Sequence, residues 1–181
     1  PGAGDIRGEQ GPGASSILTR CLDLGLTQHR LTWHYRSRDE SLVAFSNRHY
    51  YDGRLLTFPS PLTIAPGSDA APGGHGISLR RVRGRYFRPE DRARHPHVQP
   101  NTNPLEAKRV VEEVLRHVEA CPDRLPSLGV ITFNDRQRDL IENSLREVAS
   151  PRVIEALVGR DGLFVRNLEN VQGEERDTIL F

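Results

Sequence analysis

A six-residue apolar run, Leu128-Gly129-Val130-Ile131-Thr132-Phe133, stands directly before a stretch with helical spacing. Continuous apolarity with β-branched residues suits a strand buried on both faces, and that is the habit of parallel sheets rather than of half-wet antiparallel ones. The stretch after it, about 135–149, turns Leu140, Ile141, Leu145 and Val148 to one side. Before it, Asn103-Pro104-Leu105-Glu106 has an N-cap residue, a proline for the first helical position and a carboxylate at N3. Ala107, Val110, Val111, Val114, Leu115 and Val118 then follow at helical spacing until Pro122 and Pro126. Strand and helix thus alternate, the pattern of an α/β domain with a mainly parallel sheet covered on both sides.

The flanking segments extend the pattern. Leu31-Thr32-Trp33-His34-Tyr35 reads as a strand, and Ser37-Arg38-Asp39-Glu40 has the spacing of a capping box. A helix is expected from there to Tyr50, burying Leu42, Val43, Phe45 and Tyr50. Further strands are expected over Ile77–Val82, Leu163–Leu168 and Thr178–Phe181. Residues 1–16 are rich in Gly, Pro and Ala and read as loop or linker, leaving 17–181 as the domain. Irregular loops are expected at about 59–76 and 84–102. With 16 Gly and 13 Pro in 181 residues, much of the chain must be loop.

Charge and cysteine narrow the function classes. The 25 basic and 24 acidic residues give a net charge of +1, so any nucleic-acid site must be a local groove rather than the whole surface. Cys21 and Cys121 form no CxxC pair, which gives no zinc or disulfide framework and makes a reducing, cytoplasmic setting the expectation. No apolar run reaches the length of a membrane span. Methionine is absent and the last residues form an apolar strand, from which a piece of a longer protein is expected.

Three segments carry groups suited to chemistry. In Leu31–Ser37 an aromatic and an arginine, Tyr35 and Arg36, stand at a strand-to-helix turn, where open α/β sheets bind ligands. A Tyr there can stack on a base and an Arg can fork onto a phosphate. Val171–Asp177 packs polar residues around Gly173, which lets backbone amides approach a phosphate closely. Leu128–Gln137 puts Thr132, Phe133 and Asn134 at a strand end. Taken singly, each segment also fits a bland account: an interior Tyr with a surface ion pair, a charged turn, and ordinary helix capping.

In series they resemble one family, the second RecA-like domain of superfamily 1 helicases. The similarity is to the branch of the nonsense-mediated-decay RNA helicase and its large bacterial relatives. The matching stretches are L-x-W-H-Y-R-S with L-V-A-F-S-N-R-H-Y-Y-D-G-R-L, then T-N-P-L-E-A, G-V-I-T-F-N-x-x-Q and N-x-E-N-V-Q-G-E-E-R-D. They cover about residues 17–181 in the family's order. The resemblance implies a P-loop-NTPase-type three-layer domain, incomplete at its C-terminus. It implies that Tyr35 stacks on adenine and that Arg36 is an arginine finger on the γ-phosphate. Gly173 approaches the phosphates, Glu175 holds the ribose, and Gln172 supports that loop. Thr132 and Asn134, with Asn167 and Asn170, touch the backbone of a single strand, DNA more readily than RNA. ATP is the implied cofactor. Mg²⁺ would be held mainly by the first RecA-like domain of the same parent chain. The phosphate loop G-x-x-x-x-G-K-[ST] is absent from these residues, as is an Asp-Glu magnesium motif, so this chain alone is not expected to hydrolyse ATP. The branch implies 5′-to-3′ movement.

Rival readings are thinner. Glu106-x-Lys108 has a nuclease-like spacing, but it opens a helix instead of lying on a strand. His95, His97 and neighbouring His75 lack a Cys or carboxylate frame for a metal. A non-catalytic binding module on a helicase-like fold would not need Tyr35, Arg36 and Glu175 intact. The arginines between Arg80 and Arg94 read either as part of a nucleic-acid path or as a solvated insertion.

Overall fold

The computed structural model describes residues 16–37, 39–59, 76–148, 150–159 and 162–181. Most of the expected loops at 1–16 and 59–76 lies outside the described residues, as do Arg38, His75 and Ala149. The chain falls into two units, Pro1–Pro59 and Ser60–Phe181. Among the described residues no helix is long and apolar enough to cross a membrane.

The first unit is built around one parallel crossover. Helix α1 (Ile17–Asp23) starts at Ser16, whose Oγ accepts the Thr19 amide at 3.1 Å. Strand β1 (Trp33–His34) leads into α2 (Ser41–Tyr50), and β2 (Leu56–Thr57) returns beside β1 in parallel, Trp33 opposite Leu56. Asn47 fastens the return: its Nδ2 donates to Leu55 O at 3.0 Å and its Oδ1 accepts the Leu55 amide at 2.9 Å. The expected capping box does not form. Glu40 occupies the N-cap and makes no side-chain cap bond, while Asp39 Oδ1 accepts the Ser41 amide. Ser37 is drawn away to His34. Of the four residues expected to be buried, Val43 alone is; Leu42, Phe45 and Tyr50 are exposed.

The second unit holds a three-stranded parallel sheet in the order β4-β3-β5, from β3 (Leu128–Thr132), β4 (Phe164–Asn167) and β5 (Thr178–Leu180). The α/β class with parallel sheets is as the sequence implied. Asn103 caps α3 (Pro104–Ala120), its Oδ1 accepting the Glu106 amide, with Pro104 at the start. Glu106 and Lys108 therefore sit on a helix. Helix α4 (Asp135–Glu147) follows β3 after Asn134, which caps it by accepting the Gln137 amide at 2.9 Å. Helix α5 (Pro151–Val158), not foreseen from the sequence, precedes β4. The core joins Val111, Val114 and Val118 of α3 to Leu128, Val130, Ile141 and Leu145.

The strand expected over Ile77–Val82 is irregular backbone. Its apolar residues have no neighbouring strand among the described residues, and Ile77 and Leu79 stay exposed. What fixes this segment is charge: Arg80 Nε lies 3.4 Å from Glu113 Oε1 on α3.

Candidate functional site

Parallel strands deliver their carboxyl ends to one rim, and the groups there can serve a ligand. In the second unit Thr132 and Asn167 stand opposite each other at the ends of β3 and β4. Each starts a turn that its own polar side chain closes. Thr132 Oγ1 donates to Asn134 O at 2.9 Å, and Asn167 Oδ1 accepts the Asn170 amide at 3.1 Å. Asn167 Nδ2 donates to Asp135 Oδ1 at 2.8 Å, and Arg138 pairs with the same carboxylate, so the β4 end is tied to the first turn of α4. The sequence-derived quartet Thr132, Asn134, Asn167 and Asn170 is thus one cluster. Thr132 and Asn167 are buried; Asn134 is half-buried and Asn170 is exposed.

Beside that cluster Phe133 is 76% exposed, its ring edge-on to that of Phe181 at 5.0 Å between centroids. Two large aromatics presented to solvent at a strand-end rim form a surface on which bases can stack.

The segment Val171–Asp177 links β4 to β5. The Glu174 amide donates to Val171 O at 3.0 Å, closing a turn in which Gly173 adopts φ +86°. That is the third position of a type II turn, where only glycine is comfortable. The space where a Cβ would stand is open, so the Gly173 backbone is approachable from outside. Gln172 and Glu175 are exposed on either side of the turn.

Below the turn a cation network, missed from the sequence, holds the loop. Glu174 bridges Arg166 on β4 at 2.8 Å and Arg176 at 3.3 Å. Arg176 lies over the Phe164 ring, 4.8 Å from its centroid, and its Nε donates to Gly162 O at 2.9 Å. Charge assistance and ring stacking together fix the guanidinium. The signal was present in Glu174 and Arg176, but the arginine's aromatic partner is distant in sequence.

In the first unit Tyr35 and Arg36 form the tip of a short turn. His34 Nε2 accepts the Ser37 amide at 3.2 Å and lies 2.8 Å from Ser37 Oγ, which closes the chain beneath them. Tyr35 is 84% exposed, so the account of it as an interior ring does not hold. The quartet and the Gly173 turn belong to the second unit, Tyr35 and Arg36 to the first.

A second missed element is Gln137. It is buried on α4, where its Oε1 accepts the Asn103 amide at 2.8 Å and its Nε2 donates to Asn103 O at 3.1 Å. One side chain thus pairs with both backbone polar groups of the α3 N-cap residue, whose carbonyl also accepts the Ala107 amide at 3.0 Å. Glu113, also buried, gathers Arg80, Arg109 and Arg116. Burial pushes its carboxyl up, but the Arg116 hydrogen bond and the three positive charges outweigh this and hold it below the ordinary range.

Comparison with known proteins gives the chain's family. A family model described as an AAA domain matches residues 14–181. Over 157 residues, 83% of the chain, it is 33% identical to a protein of Mycoplasma genitalium named as an uncharacterized ATP-dependent helicase, MG140. It is 31% identical over the same length to the MG140 homolog of Mycoplasma pneumoniae. The chain spans 12% of the length of each of these relatives.

Proposed function

The chain belongs to the AAA_12 family, the C-terminal domain of superfamily 1 helicases of the nonsense-mediated-decay type, and from that premise we propose that it is the second RecA-like motor domain of an ATP-dependent helicase or translocase. The supporting observation is the rim of the second unit. Thr132 and Asn167 stand in register there, Asn134 and Asn170 close the turns beyond them, and Phe133 offers a ring to solvent. In this reading the rim follows the sugar-phosphate backbone of a single strand, with bases free to stack on Phe133.

The nucleotide roles extend the same reading. Tyr35 stacks on adenine. Arg36 reaches the γ-phosphate and stabilises the charge that grows as the phosphoryl group leaves. Gly173 offers its backbone to the phosphates, Glu175 holds the ribose and Gln172 supports the loop. The exposed Tyr35 and the open face of Gly173 fit these tasks. ATP and Mg²⁺ would sit chiefly on a first RecA-like domain of the parent chain. The chain described here, lacking a phosphate loop, contributes the finger but no turnover of its own.

The test is single-strand-stimulated ATPase activity of the full-length protein, with Arg36→Ala beside it. We expect stimulation in the wild type. The variant should lose roughly 10³-fold or more in turnover while still binding nucleotide. No stimulated activity, or a variant equal to wild type, removes the motor reading in favour of a binding module.

A further inference from the structure

The arginines between Arg80 and Arg94 are sorted by the fold into different tasks. Arg80 is committed to Glu113, and Arg85 is paired with Asp91. Asp91 in turn accepts the Arg88 amide at 2.9 Å. These contacts fix the 3₁₀ turn Pro89–Ala93. Arg92 projects from that turn and carries no ion pair to a described residue. It lines a cavity of about 370 Å³ together with Pro96, His97, Gln99 and, from the first turn of α4, Arg136. Arg136 has no carboxylate partner among the described residues either.

The cavity is held in shape. The Phe87 amide donates to Thr102 O at 2.8 Å and the Asn101 amide to Phe87 O at 2.6 Å. Thr102, fully buried, donates through Oγ1 to Gln99 O at 2.5 Å. Phe87 packs against His95, and Asn101 takes up φ +62° to turn the chain. Gln137 then lashes Asn103 to α4 one residue beyond Arg136. Two guanidinium groups and an imidazole are thereby brought around one opening, with no acidic side chain among the described residues that line it. Arginine forks match phosphate oxygens, and with no carboxylate partner among the described residues that capacity is unspent.

We propose that this cavity, formed by Arg92, His97 and Arg136, binds phosphates of the single strand that passes over Thr132 and Asn134. The inference rests on the nucleic-acid reading of the rim and extends it. Arg136 lies two residues past Asn134, so a backbone leaving the strand ends meets the cavity next. The irregular insertion at 84–102 is then part of the path and not a solvated ornament.

The experiment measures binding of the full-length protein to oligothymidylate and oligouridylate against salt concentration. It compares wild type, Arg92→Gln/Arg136→Gln, Arg92→Lys/Arg136→Lys, and Arg81→Gln/Arg83→Gln as a charge-matched control outside the cavity. We expect the first variant to bind about tenfold more weakly near physiological salt. The slope of log K against log salt should fall by roughly 0.7 for each phosphate contact removed. The lysine variant should retain most of the slope, and the control should keep both. Equal losses in control and cavity variants would show diffuse charge and overturn the site. Unchanged binding in the cavity variant would overturn it while leaving the rim reading intact, and tight binding of inorganic phosphate alongside would assign the cavity to a free anion. Absence of any single-strand binding by the wild type would fail the rim reading itself.

Discussion

Gly129 shows how one missing methyl shapes the sheet. A Cβ there would come within 2.4 Å of Phe164 Cζ and 2.8 Å of Ile179 Cδ1, both on neighbouring strands. The Phe164 ring cannot simply swing aside, because Arg166 and Arg176 both lie against it. Gly129→Ala is therefore expected to cost about 1–3 kcal/mol, the range of overpacked cores. Urea unfolding of the full-length protein, followed at this domain's transition, measures it. Glu113 makes a second residue-scale prediction. Its carboxyl is held below its ordinary value of 4.5 in the folded state. A depressed carboxylate stabilises the fold above the unfolded pKa and loses that contribution as pH falls through the folded one. The wild type should thus weaken progressively below about pH 4.5, and Glu113→Gln should be less stable at neutral pH with a flatter acid limb. Thermal unfolding at a series of pH values distinguishes the two. Equal acid slopes would show that Glu113 is not the group responsible.

At the scale of elements, legibility followed the strength of the local signal. α3 was readable because its cap, its proline and its apolar spacing agree, and β3 because an unbroken run from Leu128 to Ile131 has no half-wet alternative. Thr132, Asn134, Asn167 and Asn170 were named through the family resemblance, and the fold brings them together because Thr132 and Asn167 end neighbouring parallel strands while Asn134 and Asn170 lie in the turns that follow. Ile77–Val82 misled because alternation records only an opportunity to pair, and no partner strand comes to it. Ser37 misled because His34, three residues earlier, competes for it. Gln137 was visible as a motif letter, but its task is not, since its partner is 34 residues away. That task yields a prediction for the insertion as an element. Gln137→Ala removes the acceptor of the half-buried Asn103 amide, while Asn103 O keeps the Ala107 amide, and should cost about 1–3 kcal/mol. It should also raise amide exchange over 99–103 while leaving β3 protected, as hydrogen exchange with peptide-level resolution can show.

For the molecule as a whole, charge is nearly balanced, so attraction to nucleic acid cannot come from a bulk field. On the proposed reading, the arginines at the rim and in the insertion supply it. A salt slope of roughly 1–3 for the contribution of this domain is expected, far below that of strongly basic binders. Titrating full-length protein against oligothymidylate, with Arg92→Gln/Arg136→Gln as the reference that subtracts part of it, gives the number. The absence of a phosphate loop belongs to this scale too. The chain expressed by itself should show no ATP turnover above background in a phosphate-release assay, with or without single strand.

The sheet order has a consequence for how the protein is made. β3 is the middle strand, yet both strands that flank it come later in the chain. On a ribosome its apolar face is finished first and must wait for β4 and then β5. With 45 residues between Thr132 and Thr178, synthesis at about 5–20 residues per second leaves that edge open for some seconds. A bare apolar edge of that kind is a template for pairing with other chains. Helices α3 and α4, complete before β4 appears, pack against each other and give the waiting strand its first cover. Nascent chains halted just after α4 should therefore engage a holding chaperone far more than chains released after β5.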